Sequence, residues 1–201
     1  MVRRMKARGV EVLGQIELED SINGPHYPCL VSIGNPISLF TINRPDTKMP
    51  EVFRKHFRKI LRLSFYDVEK KSHLNPRQFP KRVPRKADVR RAIRFFDNTK
   101  EETEGYTLHC WQGISRSTAF SLGYLYMITG SEQEAMMILK NIRPEAHPHL
   151  GIVKMFDEEL GCNLSSVNNE LHQEWIGKMK EELDLTEDGL LEELQGLEDE
   201  E

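Results

Sequence analysis

With 201 residues, the chain is long enough for one domain of ordinary size and an appendage, and its 38% hydrophobic and 30% charged residues are typical of a soluble globular protein. No apolar run approaches the roughly 20 residues that a membrane-spanning helix needs, and no apolar signal core follows the basic residues 1–6. The three cysteines, Cys29, Cys110 and Cys162, form no disulfide framework, so we expect a reducing compartment, the cytoplasm.

The formal net charge of −4 conceals an asymmetry between the two halves of the chain. Residues 1–100 hold 22 Lys and Arg against 10 Asp and Glu, whereas residues 101–201 hold 6 against 22. The basic half indicates an anionic substrate or partner, but a solvated lysine-rich face would have the same composition. Both interpretations stay open from composition alone.

Apolar runs predict four strands, at residues 9–13, 27–34, 60–66 and 106–108. Residues 37–42 are interpreted as a further strand or as the turn after one. Helical spacing and loop composition predict helices at 15–22, 86–98, 116–128, 132–142 and 150–160, and loops at 44–50 and 69–85. Strands mixed with helices in this order indicate an α/β fold, with a central, mostly parallel sheet flanked by helices.

Two of the predicted helices have a clear signal at one end. Ser131 followed by Glu134 is a capping box, and Gly161 is a C-terminal stop for the last helix. His147 and His149 are assigned to the turn before that helix. A metal site is not expected there, because no carboxylate cluster accompanies the two histidines.

The character of the chain changes after Cys162. Residues 170–201 hold 13 acidic residues and two lysines. The first part of this stretch has apolar residues on one face of an amphipathic helix, at Leu171, Trp175, Met179 and Leu183. We therefore predict a folded domain at residues 1–162 and an acidic tail, helical and partly disordered, at 163–201.

The stretch H-C-W-Q-G-I-S-R-S, from His109 to Ser117, carries the chemistry and lies between a predicted strand and a predicted helix. A loop of this size directs its backbone N–H groups at one point, beside the positive end of the helix, and so forms a cradle for a tetrahedral dianion. The same donors stabilise a thiolate at Cys110. The planar guanidinium of Arg116 can bind two phosphate oxygens at once. Nucleophile, anion cradle and clamp thus fall within one loop, which indicates chemistry on phosphate monoesters.

His109, Cys110, Gly113, Arg116 and Ser117 match the pattern H-C-x-x-G-x-x-R-[ST]. On these residues the chain resembles the cysteine-dependent protein tyrosine phosphatases, including the dual-specificity branch. The strand end at residues 65–68 and the pair Arg143-Pro144 also resemble small bacterial and archaeal members of that branch. The resemblance implies a phosphatase-like fold, a thiophosphate ester on Cys110, and a Ser117 hydroxyl that helps the sulfur to depart. It also implies that His109 orients the loop and does not transfer protons.

The substrate's phosphate is expected to bind Arg116 and the backbone of the loop. Gly113 is expected to supply a backbone angle or a close approach that a side chain would block. Trp111 either lines the pocket or packs beneath the loop. The substrate-binding set is therefore predicted to be Trp111, Gln112, Gly113, Ile114, Ser115 and Arg116.

A departing alkoxide or phenolate needs a proton, so we expect a carboxylic acid opposite the cradle. Asp67 is the best candidate, because it ends a strand parallel to that of Cys110 and would lie at the same edge of the sheet. In the family that the chain resembles, the acid comes from a loop in this place. Asp88 and Asp97 lie on a predicted helix and are expected to face solvent.

The sequence thus predicts a phosphomonoesterase that needs no metal or cofactor and acts on phosphorylated protein, on phosphotyrosine first and on phosphoserine or phosphothreonine next. Two alternatives keep the loop and change the substrate. The 15 Lys and Arg within residues 54–94 suggest an RNA 5′ end or a nucleotide, and a phosphoinositide is disfavoured because the loop lacks extra lysines. The oligomeric state stays open.

Two further alternatives change the chemistry. A phosphate-binding module without turnover would not need Cys110, Arg116 and an acid together. Arsenate reduction would call for a resolving cysteine, and neither Cys29 nor Cys162 shows a suitable pairing with Cys110.

The acidic tail has two open interpretations. Either it lies over the basic residues 54–94 near the 110–117 loop and competes with an anionic substrate, or it forms a helix that packs elsewhere or pairs with another chain.

Overall fold

The structure is a computed structural model that describes residues 9–36, 48–68, 82–170 and 173. The described elements are β1 (Gly9–Gly14), α1 (Gln15–Asp20), β2 (Cys29–Gly34), α2 (Glu51–His56), β3 (Lys59–Ser64), α3 (Lys86–Thr99), β4 (Gly105–Cys110), α4 (Arg116–Thr129), α5 (Glu132–Ile142) and α6 (Leu150–Leu160). Residues 164–170 are also helical.

The four strands form one parallel sheet in the order β1-β4-β2-β3. The two central strands, β4 and β2, are buried along their whole length, as strands covered by helices on both faces must be. In a parallel sheet the carboxyl ends of all strands meet at one edge. The predicted α/β fold with a central parallel sheet is confirmed, and this edge is where ligands bind in such folds.

Helix α4 packs directly against the sheet, and close contacts with its neighbours hold it there. Gly123 of α4 lets Phe156 of α6 approach so closely that a Cβ on the glycine would lie 2.4 Å from the Phe156 ring. On the same helix, Tyr124 packs on Phe96 and Tyr106, each with its ring centre 4.8 Å away. Burial of these large aromatic side chains fixes the axis of α4 and therefore the position of its first residues.

The predicted strands and helices of the described ranges are confirmed, with small shifts at their ends. The strand predicted at 60–66 ends at Ser64, because Tyr66 N–H leaves the ladder and donates to Arg82 O (2.9 Å). The structure adds α2, which the sequence analysis did not predict. Its Phe53 is fully buried, while its charged residues and Val52 are exposed.

The chain divides into two compact units, residues 1–168 and 169–201. The first unit includes Leu164 and Val167, both buried, at the start of the helical segment. Of the second unit, only residues 169, 170 and 173 lie within the described ranges, and all three are helical. The predicted tail helix, the strand or turn at 37–42 and the loop at 69–81 otherwise lie outside the described residues.

The predicted start of α5 and the predicted stop of α6 occur where expected, and the structure adds a cap at the start of α6. Ser131 Oγ accepts from Glu134 N–H (3.3 Å) at the start of α5. His149 is the N-cap of α6, and Nδ1 of its ring accepts from Ile152 N–H (3.3 Å). At the other end of α6, Gly161 has a φ of +66°, a left-handed backbone that stops the helix.

Candidate active site

The loop between β4 and α4 lies at the carboxyl edge of the sheet. Cys110 is the last residue of β4 and pairs in register with Gly14, the last residue of β1. Ser115 is the N-cap of α4, and Arg116 is its first residue. Among the described residues, no N–H group of 111–115 donates to another backbone group. Five backbone donors therefore stand between Cys110 and the start of a helix, as an anion cradle requires.

The Cys110 sulfur lies inside this loop. Cys110 is 1% exposed, and its Sγ is 3.2 Å from Ser117 Oγ in the first turn of α4. At this distance the hydroxyl can donate a hydrogen bond to the sulfur, which stabilises a thiolate. The pair is buried, so the contact is shielded from competing water.

Gly113 has the backbone that the sequence analysis expected. Its φ is +76°, and a Cβ at this position would lie 2.6 Å from Gly14 N and from Leu13 C. On the neighbouring residue, Trp111 O accepts from Gln15 N–H (3.0 Å). The loop therefore rests directly on the junction between β1 and α1, with no room for a side chain at Gly113. Trp111 itself is half-buried.

A second contact holds the loop from outside, and sequence reasoning missed it. Arg143 Nη2 donates to Gln112 O (3.2 Å), while Nη1 bonds to the Glu17 carboxylate (2.9 Å). Glu17 Oε2 also accepts from Gly14 N–H (2.6 Å). Burial alone would raise the pKa of Glu17, but the hydrogen bonds from Arg143 and Gly14 and the charge of Arg143 lower it overall. We call Arg143, Glu17 and their bonds to Gln112 and Gly14 the Arg143 brace.

The turn before α6 holds the far side of the loop. His147 N–H donates to Ile114 O (2.9 Å), and His149 N–H donates to Ser115 O (3.3 Å). The sequence analysis placed these histidines in a turn before the helix, and the turn is present. Its contact with the 110–117 loop could not be derived from the sequence, because it joins segments that are separated by a helical hairpin.

Arg116 lies under the loop with a side chain that is 4% exposed. Its Nη1 donates to Asn35 Oδ1 and to Phe65 O, both at 3.0 Å. Its Nε is 3.5 Å from Asp67 Oδ2 and has no hydrogen-bond partner among the described residues. One edge of the guanidinium is therefore anchored by the residues that directly follow β2 and β3, which leaves Nε available to bind an anion.

Asp67 follows β3 and lies at the same edge as Cys110, as its place in the sequence suggested. Its Oδ1 accepts from Ser115 Oγ (2.8 Å), and the side chain is 36% exposed. Asp67 therefore contacts the loop through Ser115 and faces Arg116. Its carboxyl is accessible to a molecule that enters the loop.

His109 lies beneath Cys110 in the sheet. Its Nε2 is 2.7 Å from Ser32 Oγ on β2, and Ser32 Oγ also accepts from Arg62 Nη1 (2.7 Å). Burial lowers the pKa of His109 to about 3, with the charges of Arg62 and Arg116 acting in the same direction. The imidazole is therefore neutral near pH 7 and is held by a chain of hydrogen bonds.

One expectation about the acidic residues is wrong. Asp88, which was expected to face solvent, is 1% exposed. It accepts from Arg82 Nη2 (2.5 Å) and from Arg85 N–H (3.1 Å), and so caps α3. Its carboxylate is fully used in this structural role, because the start of α3 would otherwise leave buried N–H groups without partners.

The other two cysteines are unlike Cys110. Burial raises the pKa of Cys29, and it raises the pKa of Cys162 to about 11. Cys29 pairs in register with Tyr106, four residues before Cys110 along β4, at the opposite end of the sheet. A thiol with a raised pKa is a weak nucleophile at neutral pH. Neither residue has the character of a resolving cysteine.

The described residues hold neither a membrane-spanning helix nor a cluster of metal-binding side chains. No helix there is both long enough and apolar enough to cross a membrane. In the same ranges, no three His, Cys, Asp or Glu residues are arranged to hold a metal ion.

Part of the chain is similar to known proteins. Dual specificity protein phosphatase 15 from Mus musculus is 28% identical over 92 residues, which are 45% of this chain and 39% of that protein. Dual specificity protein phosphatase 22-B from Danio rerio is 30% identical over 87 residues, 43% of this chain and 48% of that protein. Over these stretches the chain is similar to dual specificity protein phosphatases. The match spans less than half the length of either relative. No protein-family model matches the chain.

Solved structures confirm the phosphatase-like fold. The crystal structure of Tk-PTP in the active form has a TM-score of 0.52 at 17% identity and covers 80% of this chain and 93% of that one. The crystal structure of DUSP15 has a TM-score of 0.52 at 21% identity and covers 84% and 94%. The predicted phosphatase-like fold of the sheet that carries Cys110 is thus confirmed.

Proposed function

We propose that the protein is a cysteine-dependent phosphomonoesterase that acts on phosphotyrosine and, as a dual-specificity enzyme, on phosphoserine or phosphothreonine in proteins. One observation carries the proposal: Cys110 Sγ, the Arg116 guanidinium, the free N–H groups of 111–115 and the Asp67 carboxyl meet at one loop. Such a set can bind a phosphate dianion, attack it and protonate what leaves.

In the first step, the Cys110 thiolate attacks phosphorus in line with the ester bond. A P–S bond forms while the P–O bond to the leaving group breaks, and the proton of the Asp67 carboxyl moves to the leaving oxygen. Arg116 and the loop N–H groups hold the three non-bridging oxygens, whose charge is redistributed in the transition state. The product is a thiophosphate on Cys110 and a free alcohol or phenol.

In the second step, a water molecule attacks the thiophosphate. The Asp67 carboxylate takes a proton from the water as the new P–O bond forms, and the P–S bond breaks to return the Cys110 thiolate. Ser117, 3.2 Å from the sulfur, donates to it and so stabilises the departing thiolate. Inorganic phosphate is released, and Asp67 is protonated again for the next cycle.

His109 takes no proton in this scheme. With its pKa lowered to about 3, the ring is neutral over the working pH range. Its bond with Ser32, which Arg62 supports, keeps the end of β4 in place under the nucleophile. We therefore assign His109 to orientation of the loop.

The structure weakens the nucleic-acid alternative. Several basic residues of the 54–94 stretch already bind carboxylates of the same chain: Arg58 and Lys59 bind Glu102, Arg82 binds Asp88, Lys86 binds Glu158, and Arg90 binds Glu159. Paired charges contribute less to the field that attracts a polyanion. A phosphorylated side chain, which needs only the loop itself, remains the favoured substrate class.

A substrate panel tests the proposal. Phosphopeptides, phosphoinositides, mononucleotides and 5′-phosphorylated RNA are assayed in the presence of a chelator, with Cys110→Ser as the control. We expect phosphate release from phosphotyrosine peptides by the wild type and none by Cys110→Ser. Turnover confined to nucleotides or RNA, weakening steeply with salt, would replace the protein substrate by a nucleic acid.

A further inference from the structure

His149 lies between the start of α6 and the carboxyl of Asp67. Its side chain is 5% exposed, and its backbone N–H donates to Ser115 O (3.3 Å). The preceding residue is fixed as well, because Asn168 Nδ2 donates to Pro148 O (3.1 Å). The imidazole is therefore held in a defined place beside the 110–117 loop.

The helix cap determines which nitrogen of the neutral His149 ring carries the proton. Nδ1 accepts from Ile152 N–H (3.3 Å) with its lone pair, so this nitrogen carries no hydrogen. The proton must then be on Nε2. This N–H is buried, has no hydrogen-bond partner among the described residues, and lies 3.9 Å from Asp67 Oδ1. A buried donor without a partner is unfavourable, and the Asp67 oxygen is within a short movement of it.

The two oxygens of Asp67 have different surroundings. Oδ1 accepts from Ser115 Oγ (2.8 Å) and faces His149 Nε2, whereas Oδ2 is 3.5 Å from Arg116 Nε. Among the residues that the structure describes, the charged or titratable groups that face the carboxyl are thus Arg116, from α4, and His149, from the cap of α6. A phosphate in the loop would take over the Arg116 Nε–H and release Oδ2.

From these contacts, and resting on the proposed role of Asp67 as the acid, we infer that His149 is a positioning residue for this carboxyl. When the phosphate binds Arg116, the His149 Nε2–H closes on Asp67 Oδ1; the 3.9 Å separation must shorten by about 1 Å to reach hydrogen-bond distance. Oδ1 then accepts from both Ser115 and His149. The acidic proton is thereby assigned to Oδ2, the oxygen that turns to the substrate.

This arrangement keeps the proton balance of both steps. In the first step the Oδ2 proton moves to the leaving oxygen, and in the second Oδ2 takes a proton from the attacking water. His149 keeps its Nε2 proton in both steps, because Nδ1 remains the acceptor of the α6 cap. The residue orients the carboxyl and does not exchange protons with the substrate.

Two substitutions separate this role from the helix cap. His149→Ser keeps a good N-cap but is too short to reach Asp67. His149→Gln keeps an amide N–H at the reach of Nε2 but is a poor cap. For His149→Ser we expect kcat on a phosphoserine peptide to fall about tenfold, with KM, vanadate affinity and the urea midpoint unchanged. His149→Gln should retain most of kcat and lower the urea midpoint.

A double-mutant cycle decides between positioning and packing. In the Asp67→Asn background, His149→Ser should cause no further loss, because the group that it orients no longer carries a proton. The same loss in both backgrounds, or an equal loss on phosphoserine and on an aryl phosphate with an acidic phenol, would overturn the positioning role. A wild-type rate for His149→Ser beside an impaired Asp67→Asn would also overturn it, and would leave the proposed function standing. If Asp67→Asn were itself unimpaired, the acid assignment and the His149 role would both fall.

Discussion

Gly113 faces the end of β1 so closely that a Cβ built on it would lie 2.6 Å from the backbone nitrogen of Gly14. Replacement by alanine therefore meets two obstacles, a left-handed φ of +76° and a backbone atom that cannot move without disturbing β1. We expect Gly113→Ala to lower the free energy of unfolding by about 2–4 kcal/mol and to abolish vanadate binding.

Gly130 is the matched control for this substitution. Its φ is +71°, but a Cβ there would meet nothing within 4 Å. Gly130→Ala should lose only about 1 kcal/mol, from backbone strain, and keep full activity. Urea unfolding of both variants isolates the contribution of the contact with β1. Equal losses would mean that the loop does not rest on Gly14.

Because the Arg143 brace holds the 110–117 loop, we expect substitution of Arg143, which lies outside the loop, to lower catalytic activity. Arg143→Gln should lower kcat/KM about tenfold to a hundredfold, because Gln112 O loses its donor and the loop N–H groups move away from the phosphate. Glu17→Gln should have a smaller effect of the same kind, since Arg143 then loses its anchor. Steady-state kinetics and vanadate affinity measure both.

An ion pair elsewhere on the surface serves as the control for the brace. Arg90 Nε binds Glu159 (2.8 Å) with its side chain 58% exposed, so Arg90→Gln should leave kcat/KM unchanged. If Arg143→Gln behaved like Arg90→Gln, the brace would have no influence on the loop.

His109 predicts a specific pH dependence of stability. Its pKa is about 3 in the folded protein and about 6.5 when exposed, so only the unfolded state binds a proton between these values. Above pH 6.5 both states are neutral and stability is unaffected. As pH falls below 6.5, the unfolded state is stabilised by protonation of His109, so the free energy of unfolding drops by about 2 kcal/mol between pH 7.5 and 5.

The His109→Gln variant separates this effect from that of other titrating groups. Chemical unfolding of both proteins over the same pH range gives two curves, and their difference isolates His109. The curve of the variant should be flatter by the stated amount. Parallel curves would show that His109 is protonated in the folded state, contrary to its burial.

The role of the acidic tail can be tested by truncation, provided that the cut leaves residues 1–168 intact. A cut at about Ser165 would also remove Val167 and Asn168, which are buried, and the bond from Asn168 to Pro148 O (3.1 Å). We expect truncation after residue 165 to lower Tm and truncation after residue 170 to leave it unchanged. If the tail competes with substrate, the protein truncated after residue 170 should have a lower KM for anionic substrates than the full chain, and the difference should shrink at high salt. An unchanged KM at low salt would exclude autoinhibition.

What could be predicted from the sequence followed from local patterns. The run into Cys110, the loop and the helix from Arg116 are contiguous, so periodicity and spacing were enough to place them. Asp67 could be placed beside the loop because strand ends of a parallel sheet share one edge. The role of Gly113 could be predicted from its position alone, because a tight loop often needs a backbone angle or a close approach that only glycine allows.

What could not be predicted depends on contacts between distant segments. Arg143 and Glu17 are 126 residues apart, and nothing in either local sequence indicates that they meet. Asp88 is on a polar helix face, and its burial depends on Arg82. α2 has only six residues, and its single fully buried side chain, Phe53, is too weak a pattern to distinguish a helix from a loop.

The most direct test of the mechanism is to trap the phosphorylated enzyme. Ser117→Ala should slow the second step, because the departing sulfur loses its hydrogen bond at 3.2 Å. Acid quenching during turnover of p-nitrophenyl phosphate, followed by peptide mass spectrometry, should then find one phosphoryl group on Cys110, more in this variant than in the wild type and none in Cys110→Ser. A phosphoryl group on any other residue, or steady turnover by Cys110→Ser, would contradict a cysteine-dependent reaction.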